Sequence, residues 1–228
     1  MKYQVLLCDL DDTLFDFHKG EEIAISETLR AFDIPDTPDI VALYLKANAA
    51  QWKKLERGET TQKQLRVDRF ADFLALAGIE GDADALSETY IDRLGRQRWP
   101  LPYSEELCRR VSEHMPIYLV TNGISRIQRA RLDGCSIMPC IAGVVISEEL
   151  GVSKPDPRMV LEALAQAGVD DLSRAVMLGD SQTSDIAAAN NAGVDSILFT
   201  NGKPIPEGHK ATYAAATLEE ACRLILAD

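Results

Sequence analysis

The chain has 228 residues, with 24 Lys and Arg against 36 Asp and Glu for a formal net charge of -12, and is 46% hydrophobic with few aromatics. That length suits one sizeable core plus a smaller second unit, and no apolar run approaches the roughly 20 residues that a membrane span needs. The acidic balance sets the surface against polyanions, so neither a nucleic-acid polymer nor an acidic membrane surface is expected as a partner, and a small anionic substrate requires local positive charge that overrides the field.

Met1 and Lys2 lead straight into an apolar run without a charged leader or cleavage site, which gives the expectation of a cytoplasmic protein. The five cysteines, Cys8, Cys108, Cys135, Cys140 and Cys222, show no spacing of a zinc or redox motif. They are expected to be unpaired thiols in a reducing compartment.

In chain order, "VLLCDLDDTLFDF" at 5–17 reads as a buried strand that ends in Asp9, Asp11 and Asp12. Residues 18–98 then carry apolar positions at helical spacing (Ile25, Leu29, Phe32; Leu65, Phe70, Phe73; Leu86, Tyr90, Leu94), punctuated by Pro35, Pro38, Gly58 and Gly78. This interval is expected to be an inserted bundle of about four helices. "RQRWPLPYSEEL", with Pro100 and Pro102, reads as the return hinge. Four further short apolar runs, at 116–123, 142–149, 174–181 and 194–202, have the β-branched composition of strands buried on both faces. Helical segments at 103–115, 124–134, 156–168 and 184–193 alternate with them. Such alternation predicts an α/β fold with a parallel sheet, whose right-handed crossovers bring every strand's carboxyl end to the edge where ligands bind.

The unusual polar residues fall at that edge. Alternate side chains of a strand face opposite ways, so Asp9 and Asp11 can share a region while Leu10 packs away. Two carboxylates there are costly without a counter-ion, and an oxygen-rich site suits Mg²⁺. "GDSQTSD" supplies Asp180 and Asp185 after another strand. Asp180 lands beside Asp9 if the two strands are neighbours; alternatively, Asp180 or Ser181 caps a helix and Asp185 is a first-turn acid. Thr121, in "VTNG", offers a hydroxyl and nearby N–H groups to a phosphate oxygen, or else Asn122-Gly123 is simply a turn. Lys154, in "SKPDP", is either a solvated surface lysine or the fixed cation that a phosphate among carboxylates requires.

Taken together and in order, "DLDDT" at 9–13, Thr121, Lys154 and "GDSQTSD" at 179–185 resemble the four motifs of the haloacid dehalogenase-like superfamily of phosphotransferases, over nearly the whole chain. The resemblance implies a Rossmann-like three-layer parallel-sheet core formed by 1–17 and 99–228, with 18–98 as a helical cap domain. It also implies that Asp9 is the nucleophile and Asp11 the general acid and base, with Thr121, Asn122 and Lys154 binding phosphate. Mg²⁺ would be held by Asp9, the backbone carbonyl of Asp11 and Asp180, with Asp185 supporting it from behind. Asp12 has no role in that scheme beyond solvating or capping the loop. The dehalogenase branch typically has a non-acidic residue two positions after its nucleophile, so Asp11 points to phosphate esters.

"DLDDTLFDF" with "VTNGISRIQRARL" most resembles the noncanonical pyrimidine-nucleotidase group, which implies a nucleoside 5′-monophosphate as substrate. Phosphoglycolate or sugar-phosphate phosphatases, a phosphoglucomutase-like phosphotransferase and a non-enzymatic nucleotide-binding module are the alternatives. Phe15, Phe17, His18, Trp52, Lys53 and Arg57 are candidates for recognising the rest of the substrate, each with core packing or a solvated face as the alternative, and Gln128 is either part of the motif or an exposed helix residue. No pattern indicates the oligomeric state.

Overall fold

A computed structural model describes residues 1–227. Val5–Cys8 (β1) is entirely buried, and its position explains why: it lies inside a parallel sheet of order β3-β2-β1-β4-β5-β6. The other strands are Ile117–Thr121 (β2), Ile141–Ile146 (β3), Ala175–Gly179 (β4), Asp195–Phe199 (β5) and Tyr213–Ala215 (β6). Cys8 is level with Leu119 of β2 on one side and Leu178 of β4 on the other. The strand ends that carry Asp9, Thr121 and Asp180 are therefore adjacent.

Period-two alternation divides the apolar residues of β1 between two layers. Leu6, Cys8 and Leu10 pack with Leu107, Cys108 and Val111 of Ser104–Ser112 (α5) and with Ala221, Cys222 and Ile225 of the last helix. Val5 and Leu7 pack on the opposite face against Met159, Val160, Ala163 and Leu164, and against Ala188 and Ala189. A Leu→Ala change at such a position typically costs about 2–5 kcal/mol, so β1 is held rigidly where its end must present a functional group. The result is a Rossmann-like three-layer arrangement. All five cysteines are free and all but Cys140 are buried.

Sequence-predicted boundaries shift in places. The run at 142–149 is strand only to Ile146; Ser147–Leu150 (α7) turns into a helix whose first turn carries Glu148 and Glu149, where acids favour a helix start. The helical segments in the core are Arg158–Ala167 (α8) and Ala187–Ala192 (α9), the latter preceded by a wider turn at Gln182–Ile186. β6 and Leu218–Leu226 (α10) lie beyond the last predicted element.

The chain divides into two compact units, one formed by 1–17, 98–125 and 132–227, the other by 18–97 with 126–131. The second is helical: most of Phe17–Ala31 (α1), then Pro38–Glu56 (α2), Gln62–Ala77 (α3) and Ala83–Leu94 (α4). Pro38 sits in the first turn of α2, where its missing N–H costs nothing. The Thr61 hydroxyl and the Asp82 carboxylate cap α3 and α4 by accepting from the N–H groups of Gln64 and Ala85, and α3 ends at Gly78 with φ +66°. Within this unit the body of Ser125–Leu132 (α6) is fixed by ion pairs of Arg126 with Glu88 and Asp92. Buried Arg131 donates from Nε to the Gln97 carbonyl at 3.0 Å and from its guanidinium to Gln128 Oε1 at 3.1 Å. Gln128 is thus a buried partner and not an exposed helix residue. Among the described residues, no helix is long and apolar enough to cross a membrane.

Candidate active site

Asp9 follows β1 directly, its N–H still donating to the Leu178 carbonyl at 2.9 Å, so the strand ladder fixes its backbone. The residue is 5% exposed. Oδ1 accepts from Lys154 Nζ at 2.5 Å and Oδ2 accepts from the Thr13 hydroxyl at 3.1 Å. The loop after it closes on itself. Leu14 and Phe15 N–H groups both donate to the Leu10 carbonyl at 2.9 Å. Asp12 adopts φ +60° and accepts from the Phe17 N–H at 3.0 Å, so its carboxylate caps the start of α1. Asp16 and Leu101 N–H groups tie the loop to 99–101 through the carbonyls of Trp99 and Leu14. Asp11 sits half-buried on this loop.

Lys154 is 2% exposed and is not a solvated lysine. Its ammonium lies 2.5 Å from Asp9 Oδ1, 2.7 Å from Asp185 Oδ1 and 2.6 Å from the Val120 carbonyl. Burial works to lower its pKa, but the Asp185 and Asp9 carboxylates more than reverse that, and the net shift is upward. The ammonium is charged at neutral pH. Its main chain is gripped by a side chain: the Lys154 N–H donates to Asn122 Oδ1 at 2.8 Å and Asn122 Nδ2 donates to the Lys154 carbonyl at 2.9 Å. Thr121, immediately before, is buried at the last position of β2. Gly123 N–H donates to the buried Ser147 hydroxyl at 3.0 Å, which braces the turn against the start of α7.

Asp180 follows β4 with its Oδ1 3.5 Å from the Thr13 hydroxyl. The residue stands at the rim, open to solvent on its outer side. Desolvation by the wall behind it, with the charges of Asp185 and Asp12, pushes its carboxyl up to about 7. The helix cap that follows is Ser181, whose hydroxyl accepts from the Ser184 N–H at 3.2 Å, so Asp180 is left for the site. Asp185 is 1% exposed and accepts from the Ser181 N–H at 3.0 Å. It reaches this position because Gly179 has no side chain: a methyl group there would stand 2.3 Å from Cγ and 2.4 Å from Oδ2 of Asp185.

Carboxylate oxygens of Asp9, Asp180 and Asp185 lie within 4.8 Å of one another. Three carboxylates against one ammonium leave an excess of negative charge. Burial, opposed by Lys154 and reinforced by Asp185 and Asp180, pushes the Asp9 carboxyl upward. Asp185 Oδ1 is in ion contact with Lys154 yet lacks a well-aligned hydrogen-bond donor. An all-oxygen donor set with uncompensated charge fits a hard divalent cation such as Mg²⁺.

The structure thus brings together Asp9, Lys154, Asp180 and Asp185, with Thr121 and Asn122 at the end of the adjoining strand. Sequence reasoning assigned no task to Thr13, Gly179 or the Asn122 side chain. Thr13 stood within a quoted motif, and Gly179 before Asp180 was a signal for close approach. Of the residues weighed for substrate recognition, Phe15 is core, Phe17 and Trp52 are half-buried, and His18 and Lys53 are exposed. Arg57 pairs with Glu59 at 2.5 Å.

A family model described as haloacid dehalogenase-like hydrolase matches residues 3–193. The chain is 34% identical over 200 residues to the pyrimidine 5′-nucleotidase PynA of Streptococcus pneumoniae, covering 87% of this chain and 84% of that one. It is 30% identical over 226 residues to the pyrimidine 5′-nucleotidase YjjG of Escherichia coli, covering 99% of each. The magnesium-bound crystal structure of the HAD-hydrolase YfnB from Bacillus subtilis aligns over 100% of both chains with a TM-score of 0.90 at 28% identity.

Proposed function

Because the chain belongs to the haloacid dehalogenase-like hydrolase family and is a phosphoric monoester hydrolase, we propose that it removes phosphate from a nucleoside 5′-monophosphate through an aspartyl-phosphate formed on Asp9, with Mg²⁺ as cofactor. The observation that carries this reading is the Asp9 carboxylate, fixed at a buried strand end between Lys154 and Thr13 beside Asp180. The similarity to two pyrimidine 5′-nucleotidases over most of the chain supports the substrate class.

The steps follow from the residues. An Asp9 oxygen attacks phosphorus; the ester P–O bond breaks, and its electron pair leaves on the nucleoside oxygen, which takes a proton from Asp11. A water oxygen then attacks the phosphoenzyme as Asp11 takes up its proton. The P–O bond to Asp9 breaks, inorganic phosphate departs and the carboxylate is restored. Lys154 opposes the upward push of burial on the Asp9 carboxyl and, with the Thr121 hydroxyl and the Asn122 N–H, offsets charge on the phosphoryl oxygens. Asp9, the Asp11 carbonyl and Asp180 would hold Mg²⁺, which supplies electrostatic shielding between nucleophile and phosphate. Asp185, tied to Lys154 and the Ser181 N–H, steadies the cluster from behind. The helical unit acts as the cap that reads the remainder of the substrate.

Hydrolysis of a chiral phosphorothioate ester in labelled water tests the covalent step. Two displacements give retention at phosphorus, and inversion would remove the Asp9 intermediate. A panel of monophosphates tests the substrate: the highest kcat/KM is expected for a nucleoside 5′-monophosphate, and a preference for phosphoglycolate or a sugar phosphate would overturn that assignment.

A further inference from the structure

Strands β2 and β3 end level with each other, Thr121 beside Ile146. The next residue, Ser147, is 1% exposed and puts a hydroxyl where the strand has just been apolar. A buried hydroxyl is costly unless it is hydrogen-bonded, and this one accepts from the Gly123 N–H at 3.0 Å. The two residues after it extend the contact: Glu148 Oε2 accepts from the Ser125 N–H at 2.8 Å, and Glu149 accepts from the Ser125 hydroxyl. The first turn of α7 thus holds 123–125. Its three side chains differ in their access to water. Glu149 is exposed and Glu148 half-buried, so solvent can take over their bonds, whereas Ser147 is sealed from it.

The segment from Ser147 to Lys154 is short and braced within itself. The Gly151 N–H donates to the Ser147 carbonyl at 2.9 Å and closes the single turn of α7. At the far end the Asn122 side chain clamps the N–H and carbonyl of Lys154. Two adjacent residues, Asn122 and Gly123, therefore grip the two ends of one segment, the first through a side-chain amide and the second through a backbone N–H. The ammonium is referenced to the same strand, since Nζ donates to the Val120 carbonyl at 2.6 Å. A clamp at Lys154 alone fixes a point about which the segment can swing. The bond at Ser147 supplies the second point, and with it the direction.

Resting on the reading above, in which Lys154 meets Asp9 and the phosphoryl group, we propose that Ser147 is a positioning residue for Lys154. Without its hydroxyl the 122–123 turn and the start of α7 are no longer joined at this bond, and the ammonium reaches Asp9 over a wider spread of directions. A misplacement of about 1 Å can cost on the order of 100-fold in rate. Thr121 is held in β2 by the ladder to β3, so phosphate capture at its hydroxyl is kept. The loss falls on kcat and leaves KM nearly unchanged.

The test measures kcat and KM for p-nitrophenyl phosphate with Mg²⁺, alongside urea unfolding, in wild type, Ser147→Ala, Leu164→Ala and Lys154→Met. Ser147→Ala is expected to lose about tenfold in kcat with KM within about twofold. Leu164, 2% exposed in the core, serves as the control for destabilisation alone: Leu164→Ala should lose at least as much stability and keep its kcat. A Ser147→Ala protein with wild-type kcat, or one whose loss lies wholly in KM, overturns the proposal, as does a Leu164→Ala protein that loses as much kcat. Should Ser147→Ala not fold, Ser147→Cys, whose sulfur is a weaker acceptor, is expected to lose kcat a few-fold, and an unchanged kcat there overturns the proposal. Lys154→Met separates this inference from the reading beneath it. Wild-type turnover in Lys154→Met removes the lysine from the mechanism and this proposal with it, whereas a severe loss there beside an unchanged Ser147→Ala overturns the role of Ser147 alone.

Discussion

The side-chain amide of Asn122 closes two hydrogen bonds on the main chain of Lys154, accepting from its N–H at 2.8 Å and donating to its carbonyl at 2.9 Å. A residue at the end of β2 thereby sets the height from which the Lys154 ammonium reaches Asp9, 2.5 Å away. Asn122→Ala leaves two half-buried backbone groups unpaired, at a cost of about 1–3 kcal/mol each where water does not replace the bond. The expected outcome is a thermal midpoint lower by several degrees and a kcat lower by about 10- to 100-fold, with a smaller change in KM. A variant with wild-type kcat would show that the clamp does not position the lysine.

Gly179 and Asp185 compete for the same space. Because a methyl group at Gly179 would stand within 2.3–2.4 Å of three atoms of Asp185, Gly179→Ala is expected to displace that carboxylate from Lys154, destabilising the protein by about 1–3 kcal/mol and suppressing turnover. Asp185→Gly removes the atoms that collide. In that background Gly179→Ala should cost much less, a coupling that a double-mutant cycle of urea unfolding measures directly. Additive costs would show that the clash is relieved elsewhere.

How legible this site was follows from what each residue type announces. Buried parallel strands are near-continuous apolar runs, so β1, β2, β4 and β5 stood out, and acids or a Thr-Asn-Gly at their ends marked the functional edge. The pairing of Asp180 with Asp9 depended on strand order, which spacing alone does not provide; β1 lies beside β4. Lys154 was ambiguous because a buried lysine and a surface lysine look alike in a string. The three carbonyl and carboxylate oxygens around its ammonium separate them. Asn122 was expected to contribute its N–H, and its side-chain grip on Lys154 spans 32 positions, beyond any local pattern. At the carboxyl end β6 has three residues, too short to show alternation. α10 was readable: Thr217 and Glu220 form a capping box ahead of an amphipathic run.

Asp11 and the leaving group should be linked. General acid assistance matters most where the leaving oxygen is a poor one, and it typically contributes 10²–10⁴-fold. Asp11→Asn is expected to lose about that much kcat/KM on an alkyl phosphate such as a nucleoside 5′-monophosphate and far less on p-nitrophenyl phosphate, whose phenolate departs unaided. Equal losses on both substrates would remove Asp11 from the acid role.

Charge imbalance at the site predicts its response to metal. Asp9, Asp180 and Asp185 crowd their oxygens within 4.8 Å and are offset by Lys154, so a divalent cation that relieves their repulsion binds the folded state and stabilises it by mass action. Adding Mg²⁺ to metal-stripped protein should raise the thermal midpoint and restore turnover lost to EDTA. Asp180→Asn should shrink the Mg²⁺-induced rise. Full turnover after rigorous metal removal would take Mg²⁺ out of the mechanism.

A separate pH effect is expected at the opposite edge of the sheet, where Asp195 opens β5. Its carboxylate accepts from Lys2 Nζ at 2.5 Å and from the Tyr3 hydroxyl at 2.8 Å on one oxygen, and from the Thr212 hydroxyl at 3.2 Å on the other. Partial burial works to raise the Asp195 pKa, but the bonds from Lys2 and Tyr3 outweigh it and hold it below the usual carboxylate range. A folded-state pKa below the unfolded value of about 3.9 makes the unfolded chain the first to take up a proton as pH falls. The stabilisation is therefore complete above that value and is lost as the pH drops through the folded pKa. With Lys2 partly exposed, screening limits the contribution to about 1 kcal/mol. Asp195→Asn should lower stability by roughly that amount at pH 7, and the gap between variant and wild type in urea unfolding should narrow as the pH falls below the usual carboxylate range. A gap that stayed constant across that range would mean that the charge on Asp195 contributes nothing and that the loss comes from the poorer fit of an amide to the same donors.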